Sequence, residues 1–287
     1  MENTARPLEY NVTMSFPAYS AQFLQLRTRW ETLGVFFCAV LRATMDVPFF
    51  PSLFTTAAQK QSFRGMLMSQ IGCALAISLS MDCLNDLQLF LQYEHFIIYS
   101  YMDGDQGYNL WRSMGDVISP TFALGYHERM DAKLDAPQFL VQLRKTAFAR
   151  IYSADKNVAL FLGRPLRMSK QFCHFHVPDT RPLTLQGLPP PEDQLGPYEW
   201  HPDSAIHHGS ETHCSAQCAS IKEEIMELLF DRSGTDRSAR VSALRKTADE
   251  HWGALPQRFR LAVDAMEHGE TPFERDFRIS IRLNHLQ

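Results

Sequence analysis

The chain has 287 residues, of which 45% are hydrophobic and 21% charged, values ordinary for a folded globular protein that exclude disorder as its main state. Its formal net charge of −4 and sequence pI of about 6.3 supply no global positive field, so autonomous binding to a phosphate backbone is not expected. The six cysteines (Cys38, Cys73, Cys83, Cys173, Cys214 and Cys218) are thinly spread with no C-x-x-C pair, which fits a reduced intracellular compartment.

The first residues, Met1 to Ser15, hold Glu2, Arg6 and Glu9 and no apolar run, so neither a secretory signal nor an arginine-rich transit peptide is read there. The longest apolar stretch, Leu33 to Leu41, is far below the ~20 residues that span a bilayer, and no membrane is expected. Residues 1–18 read as an N-terminal tail.

Apolar residues then recur at three- and four-residue steps with no sustained alternation of period two, which predicts an all-α fold. Phe23, Leu26, Trp30, Leu33, Phe37 and Leu41 form the first stripe, from Tyr19 to about Thr44. Phe63, Leu67, Ala74 and Ile77 form the second, from Ala57 to Leu79, across a loop holding Pro48 and Pro51. A third helix is predicted from about Leu84 to Tyr101. A fourth follows the acidic turn at Gly104 and Gly107, running from Tyr108 to Leu124 with Gly125 as its C-cap and Pro120 as a kink or interruption. The next starts near Asp135, where D-A-P-Q offers a capping-box-like Asp and Gln with Pro137 in the first turn. It continues through Leu140, Leu143, Ala147, Ile151, Ala154, Val158 and Phe161. Gly163-Arg164-Pro165 is its stop signal, glycine for a left-handed cap and proline because it cannot continue the helix.

Residues 19–176 thus form one helical block. Residues 177–215, with seven prolines including Pro189-Pro190-Pro191, read as an irregular connection. Residues 216–287 form a second helical block, with stripes at Ile221, Ile225 and Leu228, at Val241, Leu244, Ala248 and Trp252, and at Phe277, Ile279, Ile281, Leu283 and Leu286. The last of these is expected to be an interrupted helix.

Several of these segments resemble, in order, the middle-homology regulatory domain of fungal binuclear zinc-cluster transcription factors. They are R-W-E-T-L-G at 29–34, L-N-D-L-Q-L-F-L-Q-Y-E at 84–94, Y-N-L-W-R-S-M-G-D at 108–116 and F-A-L-G-Y-H-E at 122–128. Most specific is L-R-K-T-A-F-A-R-I-Y-S-A-D-K-N-V-A-L-F-L-G-R-P at 143–165, followed by I-K-E-E-I-M-E-L at 221–228 and W-G-A-L-P-Q-R-F-R at 252–260. The resemblance covers roughly residues 19–287. It marks Trp30, Trp111, Asp155, Gly163, Arg164 and Pro165 as structural signature positions. It implies a multi-helix transcription-regulator domain acting in the nucleus, with target genes that include a metabolic or biosynthetic cluster. The family's zinc belongs to an N-terminal six-cysteine DNA-binding cluster that has no counterpart in this chain, so no cofactor is expected here and DNA would be reached only indirectly. The implied partners are proteins of the transcription machinery or a DNA-binding partner, together with a small-molecule effector. Relative to the family pattern both edges look cut, which motivates the further expectation of a shortened gene product with little activity of its own.

No catalytic motif is read. Asp155 and Arg164 could form a helix-end active site, but the simpler expectation is that Asp155 and Lys156 solvate the polar face while Arg164 serves the helix terminus. His213, Cys214 and Cys218, with His207, His208, Cys173, His174 and His176, match no standard metal spacing and are read as incidental. Trp30, Trp111 and Trp252 are read as packing. Arg237, Arg240, Arg245 and Lys246 alternate with Asp231, Asp236, Asp249 and Glu250 and read as a solvated helix rather than a nucleic-acid face. The alternative to a regulator is a small-molecule-binding or catalytic helical protein derived from the same domain, using an apolar pocket among the helices.

Overall fold

The computed structural model describes residues 1–286 apart from 48–49, 105–106, 133–134, 181–197, 202–203, 232–236 and 262–270. Among the described residues the architecture is all-α, with no strand beyond a lone bridge between Phe50 and Phe54. Nine α-helices are defined among the described residues: α1 (Phe16–Ser20), α2 (Trp30–Asp46), α3 (Ala57–Ser80), α4 (Asp86–Asp103), α5 (Tyr108–Ala123), α6 (Gln138–Leu162), α7 (His208–Phe230), α8 (Arg237–Ala254) and α9 (Pro272–Leu286). They fall into two compact units. The first comprises residues 1–126 and 132–137, the second residues 127–131 and 138–287.

In the first unit α2 packs on α3 and α4, and α4 also on α5. The core holds Cys38 and Leu41 of α2, Leu67 and Ile71 of α3, and Leu91 and Ile98 of α4. Gly34 allows the close approach, because a Cβ there would lie 2.6 Å from Leu91 Cδ1 and 3.2 Å from Ala74 Cβ. Thr56 and Gln59 close a reciprocal capping box at the start of α3. Of the 24 residues of α3, an 18-residue window has mean hydropathy 1.2, so by length and composition it could cross a bilayer, as some core helices could. Leu67, Ile71, Ala74 and Ser78 of α3 are buried.

Pro120, expected to kink or interrupt its helix, lies inside α5, which continues past it to Ala123. Having no N–H, it leaves the Asp116 carbonyl without its usual helical donor, and Gln92 Nε2 of α4 donates to that oxygen at 3.1 Å. The left-handed cap predicted at Gly125 is present, with φ +73°.

Two expectations for the N-terminal region need correction. The stripe from Tyr19 to Thr44 is not one helix: the chain breaks after α1, Gln25 takes a φ of +53°, and Leu26 is 99% exposed. The buried face of α2 is Glu31, Gly34, Cys38 and Leu41, rotated from the predicted Trp30, Leu33 and Phe37. Nor are residues 1–18 a free tail. Asn3 Nδ2 donates to the Leu26 and Thr28 carbonyls, Thr4 Oγ1 accepts from Trp30 N at 2.9 Å, and the Thr4 and Arg6 carbonyls accept from the Arg29 guanidinium at 2.8 and 2.6 Å.

In the second unit α6 packs along α7, and α7 in turn meets α8 and α9. The helix predicted near Asp135 begins at Gln138, after Pro137 rather than around it, and ends as predicted. Gly163 has φ +62°, its N–H donates to the Leu160 carbonyl, and the Arg164 N–H donates to the Ala159 carbonyl at 3.0 Å, the paired bonds of a Schellman stop. The compact units divide near residues 127–137 rather than at the proline-rich connection, because α6 buries Phe148, Tyr152, Lys156 and Ala159 and packs on α7.

Helix α7 begins at His208, inside the stretch expected to be irregular. His207 caps it, with Nδ1 accepting from Gly209 N at 2.9 Å, and Ser210, Thr212, His213 and Cys214 bury its first turns. The Pro189-Pro190-Pro191 expectation lies outside the described residues. The flanking residues 177–180 and 198–201 are described, and Trp200 packs edge-on against Phe259. The core of this part is Cys214, Leu255, Phe259, Phe277 and Ile281. Helix α8 has no fully buried residue: of its predicted stripe Val241 is exposed, while Leu244, Ala248 and Trp252 are partly buried and Trp252 packs against that core. The solvated-helix reading of its charges fits this, with Arg240 paired to Asp231 and Lys246 to Glu250.

Candidate functional site

The most concentrated chemistry lies in the second unit, where α6 and α7 bury an acid, a base and a second acid. Along α6, Phe148, Tyr152 and Lys156 follow at four-residue steps and so share one face. Lys156 is 0% exposed, as are Asp155 and Glu223, the latter from α7. Burying three charges is costly unless every one is paired and hydrogen-bonded. Here each is. Lys156 Nζ lies 3.0 Å from Asp155 Oδ2 and 3.3 Å from Glu223 Oε2, donates to the Met168 carbonyl, and sits 4.1 Å from the centre of the Tyr152 ring.

The two carboxylates also hold the chain that follows the Gly163-Arg164-Pro165 turn. Asp155 accepts from the backbone N–H groups of Arg167 and Met168, the latter at 3.0 Å. Glu223 accepts from Lys170 N at 2.7 Å, from Ser169 Oγ at 3.1 Å and from the Tyr152 hydroxyl. The turn sends residues 166–170 back across α6, and the buried carboxylates satisfy amides that would otherwise be orphaned. Burial pushes the Glu223 carboxyl up, but the Lys156 charge and the bonds from Tyr152, Lys170 and Ser169 outweigh it and hold it below the usual glutamate range. The Tyr152 hydroxyl is pushed well above its ordinary value by burial and by the neighbouring Glu223 charge. A phenol held neutral as a donor and a glutamate held ionised as an acceptor form a fixed pair rather than a proton relay.

Asp155 and Lys156 therefore do not solvate a polar face, as the sequence led us to expect. Lys156 is four residues after Tyr152 and three before Ala159, inside the buried stripe, and that spacing was the available signal. Glu223 went unnoticed because its partners are more than fifty residues away in sequence. Of the other signature positions, Gly163 and Arg164 form the stop through their backbone and Pro165 is exposed beyond it. Trp30 and Trp111 are half-buried in the first unit, apart from this cluster.

An open groove of about 480 Å³ runs beside the cluster, lined by Lys170, Gln171, Glu223, Glu224, Glu227, Arg240, Ala243, Leu244 and Thr247. Lys170 Nζ reaches Glu224 at 2.7 Å. The lining carries both signs of charge, from Lys170, Arg240, Glu223, Glu224 and Glu227, unlike the mostly hydrophobic pockets that take small metabolites.

The first unit contains a second lock of the same kind. Arg29 and Glu31 are 1% and 0% exposed and pair at 2.9 Å. Asn85 Nδ2 bonds Glu31 Oε1 at 3.0 Å, and the Tyr126 hydroxyl bonds Asp86 at the start of α4. Arg29 and Glu31 come from R-W-E-T-L-G, Asn85 and Asp86 from L-N-D-L, and Tyr126 from F-A-L-G-Y-H-E.

Three of the histidines singled out in the sequence hold backbone carbonyls. His176 Nε2 bonds the Glu128 carbonyl at 2.7 Å, His213 Nδ1 the Pro178 carbonyl at 3.1 Å, and His207 Nε2 the Thr180 carbonyl at 3.0 Å. Burial raises the thiols of Cys173, Cys214 and Cys218. Among the described residues no group of three or more His, Cys, Asp or Glu side chains is placed to hold a metal. No protein-family model, curated protein or solved structure matches this chain.

Proposed function

We propose that the chain is a helical transcription-regulator domain of the fungal zinc-cluster type, acting in the nucleus through protein partners rather than through catalysis, and reaching DNA by way of a DNA-binding partner. One observation carries this reading. The motif residues on which the resemblance rests are those that tie helices together: Arg29, Glu31, Asn85, Asp86, Gln92, Tyr126, Asp155, Lys156 and Gly163 all serve buried bonds, a proline-freed carbonyl or a helix stop. The buried acid and base groups are saturated by internal bonds, which favours a scaffold over an active site. The groove beside them, with its charged lining, does not favour the alternative of an apolar metabolite pocket.

The test is to fuse the chain to a heterologous DNA-binding module and measure reporter transcription in fungal cells. A regulatory domain changes reporter output, and Glu223→Gln and Arg29→Met, which open the two locks, abolish the change. Unchanged output from a fusion that is expressed and folded overturns the proposal.

A further inference from the structure

Cys214 and Cys218 stand one helical turn apart on α7 and so share a face. With His251 of α8 and His285 of α9 they line a cavity of about 20 Å³, whose other walls include Ile221, Trp252 and Ile281. The space suits a single water molecule or a single metal ion. Both thiols are free. Burial, and next the neighbouring Cys218, push the Cys214 thiol well above its ordinary value, so the two sulfur atoms sense each other. His251 Nδ1 is buried and makes no hydrogen bond.

Lys222 lies one further turn along α7 and is 3% exposed. Its ammonium donates to Asn157 Oδ1 at 2.9 Å and to Asn284 Oδ1 at 3.3 Å. Burial draws the Lys222 pKa down and negative charge at Cys218 opposes this, while Lys222 in turn favours the Cys218 thiolate. An anionic centre at the sulfur atoms and a cation at Lys222 therefore support each other.

We propose that this cavity is a copper(I) site, in which Cys214 and Cys218 bind the ion as thiolates and Lys222 balances the negative charge of the complex. One proton leaves each thiol as the two Cu–S bonds form, so a single positive ion and two thiolates leave a net charge of −1 beside the ammonium. Copper(I) is a soft ion that favours sulfur, and two thiolates suffice for it. Zinc is selected against, because structural zinc takes four ligands and no three His, Cys, Asp or Glu side chains among the described residues are placed to hold a metal together. Ile221, Trp252 and Ile281 supply an apolar shell that limits the access of water to the ion. The inference stands on the cavity and is independent of the regulator reading.

The test titrates the full chain without oxygen against copper(I) buffered by bicinchoninate, whose colour fades as the protein takes the ion. Uptake of one equivalent is expected, with a rise in melting temperature. Cys214→Ala and Cys218→Ala, which keep the surroundings apolar, are each expected to weaken uptake at least tenfold. Cys73→Ser, which removes an exposed thiol of α3, leaves uptake unchanged. Melting curves without copper verify that the variants fold. A copper X-ray absorption spectrum of the loaded wild-type chain needs no variant and is expected to show two sulfur neighbours. The proposal is overturned by an absence of uptake against bicinchoninate, by uptake that survives both alanine variants or follows Cys73, by a spectrum without two sulfur neighbours, or by zinc displacing copper(I) at equal concentration.

Discussion

Glu223 accepts three hydrogen bonds and faces one cation with no solvent contact, so a change there acts on several groups together. Glu223→Gln removes the charge that, with Asp155, balances Lys156 in the interior. Losing one member of a buried ionic cluster costs about 3–5 kcal/mol, and urea unfolding is expected to show a loss towards the lower end because Asp155 still pairs with Lys156. Adding Lys156→Met, which leaves Asp155 without that cation, is expected to deepen the loss. Retention of wild-type stability in the single variant would mean that the cluster contributes little. His176 sets a pH dependence. Burial lowers its pKa below the ordinary 6.5 against the opposing bond to the Glu128 carbonyl, and nearby Lys145 lowers it further. The unfolded chain therefore takes up the proton first. The stability His176 contributes is complete above pH 6.5 and declines as pH falls from there through its folded value. His176→Gln is expected to flatten that part of the stability profile, read from denaturant midpoints across the range.

At the scale of elements, helix ends and helix crossings depend on few residues. Gly163→Ala keeps the sequence apolar but places a Cβ on a backbone at φ +62°, with open space around it, so the cost is conformational and not steric. A loss of about 1–2 kcal/mol is expected by thermal or chemical unfolding. The same substitution at Gly34 acts differently, since φ is ordinary there and the obstacle is the Leu91 side chain. Stops such as Gly163-Arg164-Pro165 and Gly125 were legible in the sequence because they depend on residues adjacent in the chain. The break between α1 and α2 was not. The apolar spacing from Phe23 to Leu41 suits a helix, but the tie of Asn3 and Thr4 to residues 26–30, which accompanies the break, comes from a segment some twenty-five positions away.

At the scale of the molecule, the first nine residues belong to the fold of the first unit. Their removal would strip the Arg29 guanidinium of the Thr4 and Arg6 carbonyls and Trp30 N of the Thr4 hydroxyl, at about 1–3 kcal/mol for each buried donor left unsatisfied. A chain starting after Glu9 is expected to melt at lower temperature, whereas a free tail would leave the melt unchanged. The all-α class and the approximate limits of α3 to α6, α8 and α9 followed from the sequence alone, because helix periodicity and glycine or proline punctuation are local properties of the chain. Tertiary structure alone decided that α6 belongs with α7 and that Asp155 and Lys156 lie inside. Those outcomes turn on which distant segment supplies the opposing surface or charge: a lysine four residues after a tyrosine is solvated or buried according to whether a glutamate such as Glu223 arrives to meet it.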